Sequence, residues 1–255
     1  MYRGFTINYS SVKRLFDNDH NHKWAYYYGI GRRVVQDKSK KVFKKVLDKL
    51  NYITEDILDG TAIQDDWFPK KQCDIFISHS HKDENLAIAL AGWLWKTFKL
   101  KAFVDSSIWG YADDLINKLL EETDDNYSHN ERNNSNLIYI TSHVNNMLTV
   151  ALINMIYKTE CLFFLKTPNS TFFDCTLSPW IYTEIGISKM IQKRRPQRPM
   201  QISDSRIAHE LDLSHLTEID SYILNKWEII QTKGVHHLDT LYNLTKYRKK
   251  RTINV

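Results

Sequence analysis

The segment Cys73-Asp74-Ile75-Phe76-Ile77-Ser78 constrains this chain more than any other. Its apolar run is short, bounded and continuous, and it reads as a buried strand ending in a polar turn. Asp83 is placed to cap a following helix in which Ala87, Leu90, Ala91 and Leu94 form one apolar face. Lys101-Ala102-Phe103-Val104-Asp105 repeats the strand pattern. The loop Ser106-Ser107-Ile108-Trp109-Gly110 and a helix over Ala112–Glu122 come next. Strand, helix, strand, helix is the pattern of parallel α/β winding, in which each helix carries the chain back to start a neighbouring parallel strand.

The stretch 123–136 is rich in asparagine, aspartate, serine and glutamate and is expected to be a polar surface insert. Leu137–Thr141 reads as a strand, Val144–Tyr157 as a well-buried helix and Cys161–Leu165 as an interior strand. A helix starting at Ser178 should end before the prolines of Arg194–Pro199. Further helices are expected over Ile219–Gln231 and Leu238–Tyr247. Residues 1–70 read as a separate, mostly helical extension. In it Val42, Val46, Leu50, Ile53 and Ile57 recur at three to four residues, Asp59-Gly60 marks a helix stop and Trp67-Phe68-Pro69 a linker. Gly29-Ile30-Gly31 lacks the third glycine of a dinucleotide-binding turn, Val34 standing there, so that reading is set aside.

Bulk properties bound the function. The net charge of +5 on 255 residues allows anionic small molecules as ligands without demanding nucleic acid. The basic tail Lys246–Arg251 reads as a solvated terminus. Cys73, Cys161 and Cys175 form no C-x-x-C pair, and Cys73 and Cys161 abut apolar runs. They read as core thiols, and the expected compartment is the cytoplasm. No secretory signal or membrane span is expected, because Met147–Ile156 is too short and interrupted to cross a bilayer.

The octet Ser178-Pro179-Trp180-Ile181-Tyr182-Thr183-Glu184-Ile185 carries the chemistry. Ser178 suits a helix cap, and Pro179 the first helical position, where no amide donor is needed. Trp180, Glu184, Ile187 and Ile191 then share a face. A glutamate in an apolar stripe must be paired, protonated or used. In an open parallel sheet, ligands bind outside the carboxyl ends of the strands where strand order reverses. Ser78-His79-Ser80-His81, Asp105 with the Trp109 loop, and the segment leading to Trp180 and Glu184 are the strand ends to inspect.

Asp74–Ser80, Asp83, Phe103-Val104-Asp105 and Ser178-x-Trp180-x-x-x-Glu184, in that order, resemble a Toll/interleukin-1 receptor (TIR) domain over about 73–245. The details are most similar to the bacterial TIR proteins of anti-phage defence, such as those of Thoeris systems. The resemblance implies a flavodoxin-like α/β fold with a central parallel sheet over 71–255, joined to the extension over 1–70. It also implies cleavage of the nicotinamide–ribose bond of NAD+. Glu184 would be the catalytic carboxylate, and Ser78, His79, Asp105, Trp109 and Trp180 would contact substrate. NAD+ is then a substrate and no cofactor is expected. The implied partners are further copies of the chain through TIR–TIR contacts, a separate effector reached by a nucleotide signal, and a phage-derived trigger. Enzymatic members often carry a basic residue in the turn after the first strand. Here Lys82 is the nearest one.

One carboxylate suits this reaction. Glycosidases usually need a second, as acid for the leaving group, whereas the nicotinamide of NAD+ is already a cation and leaves neutral. The group that needs help is the ribose carbon, where positive charge develops. Two other readings stay open: a non-enzymatic TIR interaction or adaptor module, and a nucleoside-processing enzyme such as a deoxyribosyltransferase. A metal site is not expected, since His79 and His81 have no third ligand at sensible spacing. Neither a G-x-S-x-G elbow nor a G-x-x-x-x-G-K loop occurs. Trp93 and Trp95 read as packing.

Overall fold

The computed structural model describes residues 1–17, 23–35, 53–54, 57–58, 60–68, 70–108, 112–124, 133–172, 175–176, 178–197, 215–230 and 235–245. A five-stranded, all-parallel sheet forms its centre, in the order β5-β4-β6-β1-β7. The strands are β1 (Arg3–Asn8), β4 (Ile75–Ser78), β5 (Ala102–Phe103), β6 (Cys161–Lys166) and β7 (Leu216–Ile219). Ile75 pairs with Cys161 and with Ala102, and Arg3 also pairs with Cys161. Every residue of β4, and Cys161–Leu165 of β6, is buried. A strand buried at consecutive positions has both faces covered, which is why these segments read as unbroken apolar runs. The parallel α/β winding expected from the strand–helix alternation is the one found, and it is consistent with the flavodoxin-like fold that the resemblance implied.

Helices cover the sheet in two groups. One comprises α1 (Tyr9–Asp17), α2 (Lys23–Val35), α4 (Glu84–Phe98), α9 (Ser221–Ile229) and α10 (His237–Thr245). Trp93 and Phe98 of α4 pack on Trp227 of α9, with centroids 5.6 and 4.0 Å apart. Trp93 is fully buried and Trp95 half-buried. The other group comprises α3 (Gly60–Trp67), α6 (Ala112–Asp124), α7 (Asn133–Lys158) and α8 (Pro179–Met190), with α7 touching the other three. Among the described residues no helix is long and apolar enough to cross a membrane.

The described part of residues 1–70 is not an extension outside the sheet. Arg3–Asn8 supplies β1, an interior strand hydrogen-bonded to β6 on one side and β7 on the other. Phe5 and Ile7 are fully buried there. Helix α2 lies against α4 with glycines at the crossing. A Cβ on Gly31 would strike the Ile88 carbonyl oxygen, and one on Gly92 the Tyr27 carbonyl oxygen, with Gly31 N at 2.6 Å. Gly31 therefore serves close helix packing. Trp67 and Phe68, expected in a linker, are buried in the core, and Pro69 lies outside the described residues.

Other local expectations change as well. Ile53–Thr54 (β2) and Ile57–Leu58 (β3) form a two-stranded antiparallel pair where the helical spacing had been extended, and Gly60 opens α3. The remainder of that expected helix, 36–52, lies outside the described residues. Leu137–Thr141 belongs to helix α7, not to a strand. Leu137, Ile138 and Tyr139 are exposed, whereas Ile140, Val144, Leu148, Ala151 and Met155 are buried at three- to four-residue spacing. The helical period over the longer segment overrides the strand propensity of five residues. Of the expected insert at 123–136, residues 123–124 and 133–136 are helical, and 125–132 lie outside the described residues. Ile219, expected in a helix, closes strand β7.

Candidate functional site

In this all-parallel sheet the chain runs from β4 outward to β5 and from β6 to the opposite side, so strand order reverses between β4 and β6. Their carboxyl ends frame the expected ligand crevice. Ser78 closes β4, pairs in register with Phe164 of β6 and is fully buried. Helix α8 starts as its sequence requires. The Ser178 side chain accepts from the Ile181 amide at 3.3 Å and Pro179 occupies the first turn. This start turns Ile181, Glu184 and Ile187 inward, while Trp180 and Ile191 pack half-buried at the core's edge.

Glu184 is 2% exposed, and its Oε2 accepts a hydrogen bond from Ser78 Oγ at 2.5 Å. Burial pushes its carboxyl well above the usual value near 4.5, and the negative charge of Asp105 pushes it further. The Ser78 hydrogen bond opposes both. Asp105 opens the short helix α5 (Asp105–Ile108) directly after β5. Its Oδ1 lies 3.6 Å from Nδ1 of the buried His79 ring. That nitrogen is also 3.1 Å from the Ile77 carbonyl, and Nε2 is 2.9 Å from Ser106 Oγ. Two acceptors around Nδ1 assign the proton there, leaving Nε2 to accept from the Ser106 hydroxyl when the ring is neutral.

Ser78, His79, Asp105 and Glu184 thus meet at the carboxyl ends of β4 and β5. Trp180 stands one turn before Glu184. Trp109 lies outside the described residues. The Ser78 hydroxyl, expected to face substrate, is spent on Glu184.

Ser106, expected only as part of the loop after β5, joins this cluster through His79 Nε2. Asp83 also behaves differently from its expected capping role. Its side chain makes no cap, and instead accepts from Thr167 Oγ1 at 2.5 Å and Asn169 Nδ2 at 2.8 Å. It therefore ties the turn after β4 to the loop after β6, the two borders of the crevice. No local pattern announces this contact, because its partners are 84 and 86 residues away.

The other reactive groups lie elsewhere. Burial raises the Cys161 thiol well above its usual value and the Cys73 thiol to about 11, as befits inert packing thiols. His81 is exposed. Glu160, His236 and Asp239 place ligand atoms within 4.8 Å of one another before β6, at the far end of that strand. Glu160 accepts from the Tyr242 hydroxyl at 2.7 Å, and His236 Nδ1 from the Leu238 amide at 3.3 Å.

The fold and site define a class: a doubly wound α/β protein with a buried carboxyl at its switch point, its pKa raised by burial and by Asp105. Comparison with family models, with curated proteins and with solved structures finds no match.

Proposed function

We propose that this chain is a TIR-type NAD+ nucleosidase or ADP-ribosyl cyclase with Glu184 as its catalytic carboxylate. The observation that carries the reading is Glu184 itself: a buried carboxyl at the switch point, bonded to the last residue of β4 and facing the residue that follows β5. In the proposed reaction the ribose C1′–nitrogen bond breaks and its electron pair leaves with neutral nicotinamide. Ionised Glu184 stabilises the positive charge left on the ribosyl carbon, more strongly because water is excluded. Attack by water gives ADP-ribose and one proton. Attack by an adenine nitrogen gives a cyclic isomer.

Glu184 is covered at rest, and burial and Asp105 favour its protonated form, so substrate reaches it only when the covering residues shift. The incoming pyridinium is a cation and favours the ionised carboxylate, so binding should release a proton. This accords with an enzyme silent until triggered, acting in the cytoplasm in anti-phage signalling, with assembly or a phage component as trigger and a nucleotide-sensing effector downstream. The test is nicotinamide release from NAD+, with mass analysis of the products, from wild type and Glu184→Gln, alone and in cells challenged with phage. Release that depends on Glu184 supports the reading; equal release, or none from the triggered protein, sinks it.

The exposed Leu137, Ile138 and Tyr139 on α7 favour a second reading, a TIR interaction module without catalysis. Under that reading Glu184→Gln keeps cellular function, and Ile138→Lys removes it together with self-association.

A further inference from the structure

We infer that a second ligand site lies between the N-terminal helices and the turn after β4, built for a nucleoside monophosphate. A cavity of about 330 Å³ opens there, at the small end of the range for ligand pockets. Its walls come from α1, the start of α2, and the segment from Lys82 to Leu86. Three of its features point to the ligand.

The first is an aromatic wall. Phe16 meets Trp24 edge-on at 5.6 Å, and the half-buried Trp24 is braced by Tyr28 in a near-parallel stack at 6.1 Å. A ring held in this way offers a rigid surface for a base. The second is an oriented amide. Asn85 Oδ1 accepts from the Tyr28 hydroxyl at 3.1 Å, which leaves the NH2 group to donate to a base edge. The third is a pair of cations. Lys13, one turn into α1, and Lys82 line the same cavity, and neither has a carboxylate within ion-pair distance among the described residues. The one carboxylate in the wall, Asp83, has both oxygens engaged by Thr167 and Asn169. Two lysines in the lining suit a phosphate, and the aromatic wall with its amide suits the base.

The site belongs to the α1, α2 and α4 group of helices, whereas Glu184 projects from α8 in the other group. Of its residues only Lys82, the basic residue nearest the turn after β4, also belongs to the NAD+ reading. The turn that carries Lys82 nevertheless begins at Ser78 and His79, so an occupant would touch the segment that holds Glu184.

Calorimetric titration of the full chain with AMP, adenosine and inorganic phosphate tests this. One AMP should bind per chain, more tightly than adenosine or phosphate alone. Lys13→Glu and Lys82→Glu should each weaken it by about tenfold or more, the size of a lost charge-assisted contact. Both lysines are exposed, so these variants should fold, which circular dichroism checks. Glu184→Gln should leave AMP binding unchanged. Absence of AMP binding overturns the assignment. So does phosphate binding as tightly as AMP, or AMP binding that responds to Glu184→Gln but not to Lys13→Glu. Failure of the nicotinamide assay alone leaves this site intact.

Discussion

Glu184→Gln should change how stability depends on pH, whatever reaction the protein runs. The native carboxyl holds its proton well above 4.5, the region where the unfolded chain releases it. Above that pH unfolding frees a proton, so wild-type stability is full below about 4.5 and is lost as pH rises towards the native group's own titration. The slope is about 1.4 kcal/mol per pH unit while the native group stays protonated. Glutamine has the same shape and cannot ionise. Its extra buried N–H groups cost about 1–3 kcal/mol if unpaired, but that cost does not vary with pH. Urea unfolding of both proteins at half-unit steps from pH 3.5 to 8 should therefore give a constant difference in acid and a changing one above about pH 4.5. The difference should move in favour of glutamine by about 1.4 kcal/mol per unit. Parallel curves would show that Glu184 ionises normally in the folded protein and would refute the account of the site.

Two variants should move that window in opposite directions. Asp105→Asn removes the like charge, so the divergence should stop at a lower pH than in wild type. Ser78→Ala removes the hydrogen bond that favours ionisation, so it should persist to higher pH, with about 1–3 kcal/mol of added destabilisation from the lost donor. Gly92→Ala should lower stability by about 1–3 kcal/mol or more, read as a fall in thermal midpoint, because the new methyl group forces α4 off α2. Gly29→Ala is the control two residues from Gly31. Its methyl would meet nothing within 4 Å, so about 0.5–1 kcal/mol of stabilisation is expected from better helix propensity.

The parts of the fold that were legible beforehand are those whose cause is local. The interior strands Ile75–Ser78 and Cys161–Lys166 have no wet face, so their apolar runs are unbroken. The Ser178 cap and Pro179 fix the start of α8, and the helical period then sets Glu184 on its apolar stripe. Leu137–Thr141 misled because five β-prone residues say little about a helix whose burial period is visible only over the whole of α7.

The sequence by itself determined the α/β winding, the start of α8 and the presence of a carboxyl that had to be paired or protonated. Each follows from side-chain period, capping or solvation within a few residues. Tertiary structure decided that Arg3–Asn8 enters the sheet between β6 and β7, that Gly31 and Gly92 let two helices touch backbone to backbone, and that Ser78, Asp105 and Glu184 meet. Strand order and helix crossings are contests among distant segments for the same apolar surface. The pKa of Glu184 likewise depends on water excluded and charge contributed by residues far away in the chain.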